Sequence, residues 1–162
     1  MADLCFLGVD PGISGACAFF FPAAPNRVAV EDMPVTDKQV VPAAMARMIQ
    51  RFAPTHAYVE AVHSMPRDGH QAAFKFGRSF GTALGVLGAL DVPMTLVTPQ
   101  TWKRAYRLGG EDAKERARAI AQRLFPASVE HFQRIKDHGR AEAALIALYG
   151  SGYSVTRTGE TA

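Results

Sequence analysis

Two cysteines in 162 residues are too few for a disulfide scaffold. Cys5 and Cys17 also lack the CxxC spacing typical of thiolate metal sites. Both sit in apolar, strand-like stretches, where a thiol behaves as a small buried hydrophobe. No apolar run approaches the roughly 20 residues that a membrane-spanning helix needs. The opening residues show no basic region followed by an apolar one of signal-peptide length, so a cytoplasmic chain without membrane contact is expected. There is no internal repeat, no dividing linker and little charge excess. The net charge of +3 and pI near 9.1 suit a nucleic-acid partner without arguing for one.

What is present describes an ordinary folded domain. Hydrophobic residues make up 48% and charged residues 20%, which excludes a disordered composition. A chain of this length buries about 70% of its unfolded surface around one core. One domain is expected over residues 1–150, and the small polar residues 151–162 read as a frayed, flexible tail.

The hydrophobic pattern changes period along the chain. Leu4 to Asp10 is a buried strand closed by Pro11-Gly12, and strands follow at Gly15–Phe21 and Arg27–Asp32. Their short connections favour an antiparallel opening. Ala44, Met45, Met48, Ile49 and Phe52 then share a helical face ended by Pro54. A fourth strand spans Ala57–Ala61, and a long helix runs from Gln71 to Leu90. Phe76, Phe80, Leu84 and Leu87 form that helix's apolar face. Gly77, Gly81, Gly85 and Gly88 make a smooth stripe on which another element can pack closely, at up to about 1 kcal/mol of helix propensity each. Met94–Thr98 is a fifth strand, and Thr98-Pro99 caps a short helix through Trp102, itself read as core. Helices over Glu111–Leu124 and Gly139–Tyr149 complete the order βββαβαβα, with extra helical material before the end.

Several acidic residues stand where chemistry is done. Asp10 ends an apolar strand at the point where a central strand opens onto a site, although Asp-Pro-Gly is also a good turn. Glu60 lies among strand formers, and an unpaired buried glutamate costs several kcal/mol. It needs a metal, a strand-end position, or a partner such as Arg67 or Lys75. Asp137 and Glu142 flank the start of the last helix. They read either as an N-cap and a solvated residue or as site groups, and the crowding of Glu142 by Ala141, Ala143, Ala144 and Leu145 favours the site. His138 between them suits metal, water activation or plain surface. Such carboxylates can converge on Mg²⁺, with two ions about 3.5–4 Å apart serving phosphodiester hydrolysis.

The segments FLGVDPGISGACAFF, YVEAVHSMPRDGHQAAFKFGRSFGTALGVL and KDHGRAEAALIALYG resemble those of the RuvC-type Holliday-junction resolvases, as does TPQTWK. The likeness extends from Leu4 to Gly150 and is strongest to the phage and prophage branch. It implies an α/β ribonuclease-H-like fold, with a mixed five-stranded sheet and helices on both faces. It also implies a homodimeric endonuclease that cuts branched DNA with Mg²⁺ or Mn²⁺, two ions per site. Asp10 and Glu60 become metal ligands by the resemblance, together with a carboxylate of DHGRAEA. Many relatives place their last two acidic or histidine groups three apart and end on aspartate. Here Glu142 takes the aspartate's place and Gly139 falls at that spacing, leaving Asp137 or His138 for the remaining role. Glu142 ranks first and Asp137 second as ligands.

For DNA, the resemblance favours Lys103 and Lys114, since lysines in comparable segments lie near the cleaved strand. Arg67, Lys75, Arg78 and Arg104 are further phosphate-binding candidates, each also readable as ordinary solvated surface. The loop Ser64–His70 is similar to the one that enters the junction, without an aromatic at its tip. Nucleases of the same fold that act on flaps, forks or RNA–DNA hybrids, and a DNA-binding module without catalysis, are the alternatives. An ATP-binding domain of the actin and sugar-kinase type shares the strand-Asp-x-Gly opening but needs a second half that does not fit in this length.

Overall fold

The computed structural model describes residues 3–62 and 69–153. The chain opens with strands β1 (Phe6–Asp10), β2 (Ala16–Phe20) and β3 (Val28–Asp32), then a small hairpin of β4 (Val35–Thr36) and β5 (Gln39–Val40). Helix α1 (Pro42–Phe52), strand β6 (His56–Glu60), helix α2 (His70–Ala89) and strand β7 (Met94–Val97) follow. Helices α3 (Pro99–Ala105), α4 (Ala113–Leu124) and α5 (His138–Ser151) close the fold, with 3-10 turns at Pro126–Phe132 and Ile135–Asp137 before α5.

The main sheet has five strands in the order β3-β2-β1-β6-β7. The first three pair antiparallel, as short connections require, while β1–β6 and β6–β7 pair parallel. Each parallel pair needs a crossover, which α1 and α2 supply. The hairpin was not expected from the sequence. Its turn places Asp37 and Lys38 at φ 49° and 59°, the two-residue geometry whose twist matches the strands it joins.

Side chains alternate across the sheet and so build two cores. On one face Leu7, Val9, Phe19, Ala57 and Val59 pack against Met45, Met48 and Ile49 of α1 and Ala83 and Leu87 of α2. On the other, Ala16, Ala18 and Phe20 meet the alanine-rich α5, with Trp102, Phe125 and Phe132 around it. Helices thus cover both faces, as expected. Both thiols are buried, and burial pushes Cys5 and Cys17 up to about 12, as befits inert core residues.

One position sets how near α5 lies to the sheet. A methyl group at Gly8 would fall 2.1 Å from the Ala143 carbonyl oxygen and 2.5 Å from the Ala147 nitrogen. The helix backbone therefore rests directly on the central strand. Its last turn does the same over Tyr58, where a side chain at Gly150 would strike the ring at 2.2 Å. Helix α5 extends through Ser151, one residue into the expected tail, and residues 154–162 lie outside the described residues.

Candidate active site

Register brings the first two carboxylates together. Val9 pairs with Val59 across the parallel β1–β6 ladder, so Asp10 and Glu60 end adjacent strands side by side. By alternation they share the face of Gly8 and Tyr58, which is the face α5 covers. Glu60 is only 6% exposed. Its partner is not Lys75, which lies exposed on α2. Instead the Trp102 indole N–H donates to Glu60 Oε1 at 2.9 Å. Trp102 is fully buried, as the sequence reading had it, but its polar edge was missed. Arg67 lies outside the described residues, as does most of the Ser64–His70 loop.

Helix α3 reaches Glu60 because β7 ends beside it, with Val97 paired to Glu60 and Pro99 opening the helix two residues later. Thr98 precedes it as expected but makes no side-chain cap; its hydroxyl pairs with that of Thr101 at 2.7 Å. One residue after Trp102, Lys103 extends to Glu142 on α5, with Nζ 3.8 Å from Oε1 and 5.3 Å from the indole ring centroid. Glu142 is mostly buried, its side chain 13% exposed, as crowding by small residues demands.

These groups act on one another electrostatically. Burial pushes the Asp10 carboxyl up to about 7, and the charges of Glu142 and Glu60 add to the effect. The Gly12 backbone hydrogen bond and Lys103 oppose it. Glu60 is likewise raised, chiefly by burial and also by Glu142, against the Trp102 hydrogen bond and Lys103. Lys103 is the cation that moderates both. Asp10, Glu60 and Glu142 thus form an under-neutralised cluster of hard oxygen donors, chemistry that fits a divalent cation. Among the described residues, no group of three His, Cys, Asp or Glu side chains is placed to hold a metal ion in this arrangement.

The start of α5 departs from the expected ligand set. A side chain at Gly139 would sit 2.6 Å from the Ser14 carbonyl oxygen and 3.3 Å from Asp10 Oδ2. The position at the relatives' three-residue spacing therefore has no room for a carboxylate. Asp137 is 1% exposed and turned to arginines. It accepts from the Arg134 backbone N–H at 2.8 Å and pairs with the Arg134 guanidinium at 2.8 Å, with Arg140 at 3.9 Å. Arg140 in turn holds Asp32. Asp137 is committed to this network, and it caps the preceding turn rather than α5. His138 opens α5, half-buried.

The other basic candidates are exposed: Arg104 on α3, Lys114 at the start of α4, and Lys75 and Arg78 on α2. The glycine stripe of α2 is also bare. A methyl added at Gly77, Gly81, Gly85 or Gly88 would meet no atom within 4 Å, and Phe74 on the same helix is 71% exposed. The stripe has no close partner among the described residues. On edge strand β7, Leu96 is 50% exposed.

A mixed sheet in this order, with carboxylates at the ends of two central parallel strands and on the last helix, defines a ribonuclease-H-like fold. More narrowly, the fold is that of RuvC. Thermus thermophilus RuvC bound to a Holliday junction substrate matches with a TM-score of 0.65 at 20% identity, over 91% of this chain and 93% of that one. A second structure of the same RuvC gives 0.64 at 21% identity, with the same coverage of both chains. In sequence, the chloroplastic Holliday junction resolvase MOC1 of Chlamydomonas reinhardtii is 33% identical over 102 residues, 63% of this chain. The chain spans 12% of that relative's length. No family model matches. The resemblance read from the motifs is thus met in both sequence and fold.

Proposed function

We propose that this chain is a metal-dependent endonuclease that cleaves phosphodiester bonds in four-way DNA junctions. The observation that carries the reading is the convergence of Asp10, Glu60 and Glu142 from two adjacent strand ends and a closely docked helix. RuvC, whose fold this is, has been captured on a junction, and the curated relative is named a junction resolvase.

In this reading Asp10, Glu60 and Glu142 hold Mg²⁺, or Mn²⁺ in its place, with two ions per site. Bound there, the ions supply Lewis acidity and a water that ionises near neutral pH. Trp102 orients Glu60, and Lys103 offsets the local negative charge while facing the incoming strand. His138 is a candidate for activating water or touching a phosphate, and Asp137 fixes the approach to α5 rather than ligating. Lys114, Arg104, Lys75, Arg78 and Arg67 would neutralise backbone phosphates, which gives affinity without sequence preference.

The working unit is a homodimer whose two sites nick symmetric strands of the junction. The bare glycine stripe of α2 and the exposed Phe74 support that assembly, because they offer a surface that allows close helix approach. The site of action is the cytoplasm, where Cys5 and Cys17 stay reduced.

A labelled four-way junction, a flap, a fork and an RNA–DNA hybrid offered side by side with Mg²⁺ test the reading. The junction should be cut best, and Asp10→Asn or Glu60→Gln should abolish cutting while leaving junction binding intact. Preferred cutting of flaps, forks or hybrids would move the substrate within the fold. Binding of junctions without any cutting would make the chain a DNA-binding module.

A further inference from the structure

We propose that Ile135 is an apolar wedge that presses between bases of the cut strand beside the scissile phosphate, with Lys136 holding a neighbouring backbone phosphate. The inference rests on the junction-cutting reading above and adds a contact that opens the DNA.

Ile135 is 86% exposed, more than any other large hydrophobic side chain among the described residues. Lone exposed apolar residues are common on protein surfaces, and exposure alone assigns nothing. Place, stiffness and charge set this one apart.

Its place follows from how α5 crosses the sheet. Ala147 and Ala143 lie over Gly8, and Gly139 lies over Ser14 and Asp10. Toward its N-terminus the helix thus runs past the C-terminal end of β1. The turn Ile135–Asp137 continues that course beyond the strand ends that carry Asp10 and Glu60. Across from it stands the tight turn after β1, where the Gly15 N–H donates to the Gly12 carbonyl at 2.9 Å and Ile13 is left exposed. The two turns frame an open hollow of about 310 Å³, with Ile13, Ser14, Arg134 and Lys136 in its lining. A strand that approaches the carboxylates meets this rim.

The mount is stiff. Asp137 accepts from the Arg134 backbone N–H and from the Arg134 guanidinium, both at 2.8 Å, which closes a ring around Ile135 and Lys136. The backbone that presents Ile135 is therefore ordered before DNA arrives, and binding is spared that cost.

Charge selects the partner. Asp32 and Asp137, the acids of the hollow, are both taken by arginines. Lys136 is exposed and forms no ion pair among the described residues. An apolar tip beside an unpaired cation matches a nucleic-acid strand, with its stacked bases and anionic phosphates. Isoleucine is among the side chains that proteins insert between base steps, unstacking them and kinking the duplex.

Junctions carrying a single 2-aminopurine, moved through the pairs around the crossover, report unstacking as a rise in fluorescence. Protein is added in EDTA, so that cutting is withheld. Wild type should raise the signal at the step beside the bond that it cuts in Mg²⁺. Ile135→Ala should keep the wild-type melting point, abolish that rise and weaken junction binding about tenfold through the lost apolar burial. Its slowed cutting in Mg²⁺ should recover on a junction mismatched at that step, which is already open. Lys136→Ala should keep the fluorescence rise and lower the salt dependence of binding by about one phosphate contact; an unchanged dependence would strike that contact. No rise with wild type, a rise only away from the cut bond, an undiminished rise with Ile135→Ala, or a defect that the mismatch does not relieve would overturn the wedge. Each would leave the nuclease reading standing. If Ile135→Ala does not fold, the wild-type scan decides. Should wild type cut no junction in Mg²⁺, the nuclease reading falls, and a wedge at a cut strand falls with it.

Discussion

Arg140 grips both carboxylate oxygens of Asp32, at 2.7 and 2.8 Å, across 108 residues of chain. The pair joins the first turn of α5 to the end of β3, with Asp137 between Arg140 and Arg134. Asp32 is largely exposed, so its share is under about 1 kcal/mol. Asp137 is buried and carries more. Asp137→Asn should destabilise the protein by about 1–3 kcal/mol in a urea titration while leaving Mg²⁺ affinity nearly unchanged. A severe loss of Mg²⁺ binding in a folded variant would return Asp137 to the ligand set.

That loss should also depend on pH. Burial alone would raise the Asp137 carboxyl, but hydrogen bonds from the Arg134 side chain and backbone, with the charges of Arg134 and Arg140, hold it below the usual range. A lowered folded value contributes stability that is present above the unfolded value, about 3.9, and vanishes as pH falls through the folded one. The gap between wild type and Asp137→Asn should therefore close in strong acid.

Asp10 carries the opposite sign. Its carboxyl is pushed up to about 7, so the folded protein holds a proton that the unfolded chain releases near pH 4. In EDTA this group's contribution should erode as pH rises from about 4 to 7. Asp10→Asn should then melt a few degrees (roughly 3–8 °C) above wild type at pH 8 without metal, and the advantage should shrink toward pH 5. Added Mg²⁺ should raise wild type and leave the variant behind. Thermal melts at the two pH values check both statements.

Much of this was legible in the sequence, for reasons that particular residues make plain. Asp10 and Glu60 follow buried, strand-forming runs, which made them site candidates; that both end their strands, and that the strands are neighbours, came from the fold. Glu142 was legible because Ala141, Ala143, Ala144 and Leu145 leave it no solvated surface. Trp102 reads as core from its apolar bulk, and nothing local announces that its N–H faces a residue 42 positions earlier. The pairing of Asp137 was hidden for the same reason: its arginines lie within three residues on either side, but only the fold shows both turned onto it. Gly139 looked like a missing ligand and is a contact with no room for one.

Lys103 and Lys114 differ in burial and should differ in effect. Lys103 sits in the site against Glu142, whereas Lys114 is exposed on α4. Replacing both by alanine should lower the salt dependence of junction binding by about two phosphate contacts. Lys103→Ala alone should also slow cutting at saturating DNA, which Lys114→Ala should not. Equal turnover in the two single variants would show that Lys103 serves only to bind.

The α2 stripe gives a clean test of assembly. Since nothing lies within 4 Å of a methyl at Gly81 or Gly85, larger side chains there should not disturb the fold. Gly81→Arg with Gly85→Arg should keep the wild-type melting point of the isolated chain and convert dimer to monomer in light scattering. Junction cutting should fall, most visibly the second, symmetric nick. A double variant that remains dimeric would place the interface elsewhere.

The close seating of α5 on Gly8 has a temporal side. A chain emerging from a ribosome presents Asp10, Glu60 and Trp102 long before Glu142 has been made, and the cluster stays incomplete until the helix that carries Glu142 settles onto β1. The cutting activity proposed above would thereby be withheld while the chain is nascent. Any truncated product ending before residue 138 should bind DNA at most, never break it, and stalled translation should yield inert fragments rather than stray nucleases.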